Sequence, residues 1–269
     1  MKNFIICFFL LICITPRIAA QTECGHSVYL KQAEADSLFK ATHDALEKSA
    51  VEHFTFRRKN TMPGAESGGA AGTIPVVVHI LHDDGVENIA EVQVQQALAW
   101  LNAAFAHVAP YAQGSGVNTG IRFCLATRDP EGRATSGIVR VKTPLTVLSL
   151  AQEAAAKASN YWPSDQYLNI WVVRDICWES LGCGVAAYAS VPSFHGRKND
   201  GIVIEHTFFG TTPGRTAAMI HEAGHYLGLY HTFEGGCTNS DCLINGDRVC
   251  DTPPDQSTAW LPCDQTVNT

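Results

Sequence analysis

The stretch HEAGHYLGLYH, residues 221–231, sets three histidines and a glutamate into a segment that otherwise reads as a buried helix. His221 and His225 stand one turn apart and share a helical face. Two imidazoles at that spacing can hold one Zn²⁺ at about 2.0–2.1 Å. Glu222 is beside the first ligand, poorly aligned to be a third one but able to reach a water on the metal. On a regular helix His231 would point about 120° away from His225. Gly228 removes that obstacle, because a glycine can turn left-handed, end the helix and swing His231 back as the third ligand. Three protein ligands leave the fourth position for water, which is the arrangement of a catalytic zinc. Such a zinc lowers the pKa of its water from roughly 15.7 towards about 7. Glu222 is then placed as general base and afterwards as proton donor to the leaving amine of a peptide bond.

These side chains need a scaffold, and the chain supplies strand and helix patterns for one. IPVVVHIL, residues 74–81, is a β-branched run suited to a strand buried on both faces. Asn88 with Glu91 forms a capping-box variant, and Val94, Leu98, Leu101, Phe105 and Val108 recur at helical spacing, which predicts a helix over 89–107. Residues 121–127, 137–141, 167–173, 184–190 and 201–209 read as strands, and 148–159 as a shorter helix. From Arg215 the motif segment has few helix breakers until Gly228, and a Gly-, Asp- and Pro-rich tail follows. Strands and long helices in this mixture predict an α+β domain built on a mixed sheet.

At the N-terminus, Lys2, the apolar run Phe4–Ile14 and the pair Ala19-Ala20 form a secretory signal peptide pattern over 1–20. The run is shorter than the roughly 20 residues a bilayer span needs. No later stretch is long and apolar enough to cross a membrane, so no membrane association is expected after the signal is removed. Of 10 cysteines, Cys7 and Cys13 leave with the signal. Cys24, Cys124, Cys177, Cys183, Cys237, Cys242, Cys250 and Cys263 remain, and export favours disulfides among them. The last four can pair in three ways, between which the sequence does not choose. A net charge of −7 leaves no basic footprint for nucleic acid. Residues 21–56 carry a loose helical pattern, and 57–72, RRKNTMPGAESGGAAG, reads as an exposed linker open to nicking. The expected organisation is a signal peptide (1–20), a propeptide-like segment with its linker (21–72) and a catalytic domain (73–269).

HEAGHYLGLYH resembles the long zinc signature of metzincin metalloproteases. GDRVCDTPPD (246–255), GVAAYASVP (184–192) and DGIVIEHTFFG (200–210) are similar to segments of the pappalysin family, the pregnancy-associated plasma protein-A type. The resemblance covers roughly Ile74 to Asp255. It implies a metzincin-like zincin domain, a twisted mixed sheet with a long backing helix and a zinc-binding active-site helix. It also implies a secreted zinc endopeptidase acting on proteins or peptides, with Zn²⁺ on His221, His225 and His231 and with Glu222 as base. Substrate would add to the edge of a rim strand through the backbone of Val185 to Ser190.

The family often binds calcium, and Asp247, Asp251 and Asp255 form a loop whose carboxylates suit Ca²⁺, or equally a solvated acidic turn. A latency device of the family sets a cysteine followed by glycine over the zinc, as Cys24-Gly25 could. Cys24 could instead join a disulfide or stay an unpaired thiol. Seven cysteines in 74–269 leave one without a partner inside that domain. Metzincins also carry a methionine turn beneath the zinc. The methionines here are Met1, Met62 and Met219, none of them beyond His231, so the C-terminal subdomain is expected to be incomplete at Thr269. A catalytically impaired zinc-binding pseudo-protease is the alternative this raises. His79, His82, His195 and His206 match no ligand spacing and are assigned to packing or surface roles.

Overall fold

A computed structural model describes residues 24–60, 72–114, 116–158, 160–234, 236–237, 241–250, 252 and 256. The signal pattern, most of the linker, Asp251, Asp255 and Cys263 lie outside them. Among the described residues no helix is long and apolar enough to cross a membrane.

The main sheet is organised around β1 (Gly72–His82). One side of β1 pairs in parallel with β5 (Leu168–Val173). Its other side pairs first with β2 (Ile121–Leu125) and then with β3 (Ile138–Lys142), also in parallel. A strand flanked on both sides and covered on both faces has no solvated face. That is why residues 76–81 are apolar or buried without alternation. β9 (Ile202–Glu205) continues the sheet in parallel beside β5, and β8 (Ala187–Ala189) closes it as an antiparallel edge strand. The expected mixed sheet is therefore present.

Helix α3 (Glu91–Phe105) backs one face of this sheet through Val94, Leu98 and Leu101, alongside α5 (Pro213–Tyr226). The expected Asn88 cap does not form. The Asn88 side-chain oxygen accepts from Arg140, whose guanidinium also binds the Ile89 carbonyl. The helix starts later, after an extended Ala90 with no side-chain cap, and Val108 lies beyond its end.

The opposite face carries a second apolar cluster of Leu81, Trp171, Trp178, Tyr188, Phe194 and Val203. Helix α4 (Leu150–Ala158) and a small sheet of β4 (Val147–Leu148), β6 (Asp175–Trp178) and β7 (Gly182–Cys183) enclose it. A Cys177–Cys183 disulfide ties β6 to β7.

The N-terminal segment completes this second cluster. Helix α1 (His26–Ala33) and helix α2 (Ser37–Asn60) contribute Tyr29, 5% exposed, and Phe39, 1% exposed. Burying side chains of that size stabilises the docked segment by about 1.5–3 kcal/mol each. Helix α2 runs to Asn60, so residues 57–60 are helical and do not belong to the expected linker. The physical reason is composition: the first helix breaker after Ser37 is Pro63.

Candidate active site

Helix α5 begins sharply. Thr212 is extended and its hydroxyl accepts from the Arg215 amide at 3.2 Å, with Pro213 in the first turn where a missing N–H costs nothing. Thr216, Met219, Glu222, Ala223 and His225 form its buried stripe, turned towards α3 and β8. Met219 belongs to the core cluster and not to a floor beneath the histidines.

The helix ends at Tyr226, just before Gly228, where the sequence places its end. Gly228 takes φ +96°, and the Leu229 amide folds back to the Gly224 carbonyl at 2.9 Å. The turn also fixes an imidazole. His225 Nδ1 donates to the Leu229 carbonyl at 2.7 Å, so its neutral ring presents a bare Nε2 lone pair. His231 returns alongside, with its Nδ1 3.5 Å from Glu234 and its ring stacked on Phe233.

The three Nε2 atoms converge. His221 and His225 are 2.9 Å apart, His225 and His231 3.1 Å, and His221 and His231 3.2 Å. One proton per ring cannot satisfy three mutual contacts of this kind, and three lone pairs facing one another repel. A cation at the centre removes the conflict. Tetrahedral ligands about 2.05 Å from a zinc are roughly 3.3 Å apart, close to the spacing found. The donor set therefore fits zinc.

Cys24 stands over this centre. Its sulfur and the three imidazole nitrogens all lie within 4.8 Å of one another. The thiol donates to Glu222 Oε1 at 3.2 Å and is 3.7 Å from His225 Nε2. Glu222 is 1% exposed, and its Oε2 has no hydrogen-bond partner. Burial pushes its pKa up to about 8, with the Cys24 thiol and the Ala189 amide pulling it back. Burial, then the Glu222 charge, pushes the Cys24 thiol up. His221 is held down at about 4 by burial and by His231.

The backbone around Cys24 pairs with the rim strand. Cys24 bridges Ala187 in parallel, and the Gly25 amide donates to the Ala187 carbonyl at 3.0 Å. Of the Val185 to Ser190 edge, the Val185 amide is already bound to Ile176 and the Ser190 amide to Gly201. The Ser190 bond continues the pairing with β9, as alternation along the strand requires, and Ala187 faces the open edge. Gly25 (φ −77°) is a matter of space: a Cβ there would lie 2.4 Å from Trp178 and 3.2 Å from Tyr188.

Sequence reasoning missed three contributors. His26 stacks on His225 with centroids 3.8 Å apart and is 2% exposed. Glu234 faces His231. His43 of α2 bonds Ser193 at 2.9 Å and meets the Tyr230 hydroxyl at 3.4 Å. The signal for His26 was its place two residues after Cys24. For Glu234 it was an acidic side chain three residues after the third histidine, where carboxylates commonly orient metal-ligating imidazoles.

The remaining candidates lie elsewhere. Asp247 accepts from the Val249 amide at 3.0 Å in a local turn, and its two prospective calcium partners are not described. His79 is buried against Asn169, and His195 is exposed. Cys242 pairs with Cys250, while Cys24 and Cys124 are free thiols, so the odd cysteine of the domain is Cys124.

Residues 152–269 match the family model described as pregnancy-associated plasma protein-A. An extracellular metalloprotease of Arthroderma otae is 31% identical over 200 residues, covering 71% of this chain and 63% of the relative. One of Trichophyton verrucosum is 29% identical over 224 residues, covering 80% and 72%. The chain thus spans just under two thirds of the Arthroderma otae relative. Mature mirolysin of Tannerella forsythia, solved in complex with a cleaved peptide, shares 32% identity at a TM-score of 0.57, over 70% of this chain and 74% of that one. A promirolysin mutant of the same organism shares 29% identity at a TM-score of 0.60, over 84% and 78%.

Proposed function

We propose, from the premise that the chain belongs to the pappalysin family of metzincin metalloproteases, that it is a secreted zinc endopeptidase kept latent by its own N-terminal segment. The observation that carries this reading is the convergence of His221, His225 and His231 Nε2 beside the buried Glu222 carboxylate.

In this reading the three imidazoles hold zinc, with His225 oriented by the Leu229 carbonyl and His231 by Glu234. The ion would supply Lewis acidity, lowering the pKa of a water towards about 7 and polarising a peptide carbonyl. Glu222 takes the proton of the attacking water and returns it to the leaving amine. The β8 edge receives the substrate backbone, as a sheet edge receives a strand.

Cys24 acts as the latency ligand in the place water would take, and Gly25 occupies the Ala187 carbonyl that substrate would use. Removal of residues 21–72 by cleavage in the linker then opens the cleft. Two features support the propeptide role. Tyr29 and Phe39 are buried against the domain, and the share of this chain matched rises from 70% with mature mirolysin to 84% with promirolysin. The signal pattern over 1–20 and the extracellular relatives support secretion.

The test is to express the full chain, measure zinc by mass spectrometry, and assay peptide hydrolysis before and after limited proteolysis in the linker, with and without a chelator. Stoichiometric zinc and chelator-sensitive cleavage that appears after processing are expected. Absence of zinc overturns the reading. Zinc without cleavage in either form would favour a non-catalytic zinc-binding protein.

A further inference from the structure

A second enclosed polar site lies where α1 meets the domain. Tyr29 donates its hydroxyl to Glu153 Oε1 at 2.9 Å and accepts from Asn199 Nδ2 at 3.3 Å. Lys157 binds the same carboxylate oxygen and donates to the Asn199 carbonyl at 3.0 Å. The side chains of Lys157 and Glu153 are 1% and 8% exposed. The phenol ring stacks on Phe194 at 5.3 Å and tilts on Tyr188 at 4.9 Å, and the Lys157 ammonium lies 5.3 Å from the Tyr188 centroid. The N-terminal segment supplies the guest; the rest of the chain supplies the pocket.

We propose that this pocket is a substrate subsite selective for a tyrosine side chain, occupied in the precursor by Tyr29. The proposal rests on the reading of the chain as a processed endopeptidase. Removing the segment would leave an aromatic-walled cleft with a carboxylate at its base. Phenylalanine there would leave that oxygen to Lys157 and forfeit the second hydrogen bond to a charged acceptor. Lysine or arginine would meet the fixed charge of Lys157. A phenol both fills the wall and donates to Glu153.

The distance from the cleft suits a substrate. Tyr29 follows Cys24 by five residues of mostly helical chain, about 7.5 Å at 1.5 Å each. An extended strand at roughly 3.3 Å per residue covers that in two to three residues. Tyr188 also belongs to β8, the strand that would hold the substrate backbone.

The full chain is processed in the linker and assayed on peptides carrying Tyr, Phe, Leu or Lys at each of the three positions on either side of the scissile bond. Tyrosine is expected to exceed phenylalanine in kcat/KM by roughly tenfold or more at one position, two or three residues from that bond. Glu153→Gln and Asn199→Leu should each narrow this ratio to within about twofold of unity. Equal cleavage of Tyr and Phe peptides at every position overturns the subsite, while loss of all cleavage counts against the endopeptidase reading alone. Fluorescence anisotropy covers that case, using labelled peptides spanning residues 24–36 with Cys24→Ser, with and without Tyr29→Phe, on the processed chain. Binding at least about fivefold tighter for the tyrosine form supports the pocket, and equal binding refutes it. A Glu153→Gln protein that melts well below the parent would be set aside, and Asn199→Leu then decides.

Discussion

The Cys24 thiol donates to Glu222 Oε1 at 3.2 Å while its sulfur stands 3.7 Å from His225 Nε2. One side chain of the N-terminal segment thus touches both the prospective base and the prospective metal ligands. Withdrawing it frees both together.

Replacing that side chain is the direct test of latency. The unprocessed Cys24→Ala chain should hydrolyse a peptide that the unprocessed parent does not, with no change after processing. A variant as silent as its parent would remove Cys24 from the latency mechanism.

Metal and base should separate by mutation. His221→Ala and His225→Ala should each lose stoichiometric zinc. Glu222→Gln should keep it and lose about 10²–10⁴-fold in kcat. Zinc content by mass spectrometry beside hydrolysis rates makes the comparison, and full zinc in either histidine variant would defeat the ligand assignment.

Gly25 should matter for space alone. A side chain at this position meets Trp178 in β6, so Gly25→Val should push the Cys24 segment off β8. Overpacking of this kind costs about 1–3 kcal/mol. Activity should leak before cleavage and be normal after it. Tight latency in this variant would show that the pairing with Ala187 is dispensable.

Acid should unfold the domain partly through His79. Burial, opposed by its bond to Asn169, holds this imidazole down at about 4, against about 6.5 in an unfolded chain. The unfolded state takes up the proton first. The contribution is therefore complete above about pH 6.5 and declines as the pH falls to about 4. Melting temperature against pH should fall less steeply over this window for His79→Gln. Parallel curves for the two proteins would exclude His79 as the titrating group.

Much of this was readable along the chain, because it follows from local rules. A near-continuous apolar run at 76–81, broken only by His79, is what a strand enclosed on both faces requires. Two histidines four residues apart share a helix face whatever surrounds them, and a glycine three residues after the second permits the turn that returns His231. The errors were of the same local kind. The Asn88 signature satisfied a capping rule, but Arg140 on a distant strand competed for its side chain. The basic residues 57–59 suit a solvated linker, but helix propensity carries α2 on to Asn60.

The chemistry of the centre was thus written in residue types and short spacings, since helix and turn geometry depend on near neighbours alone. Which groups meet that centre from afar was not. His26 stacking on His225, Tyr29 reaching Glu153 and Gly25 fitting beneath Trp178 join residues more than a hundred positions apart. Nothing in a sequence ranks one such pairing above another. The choice is made when two apolar faces exclude water together, and the polar groups among them must then find donors and acceptors within reach.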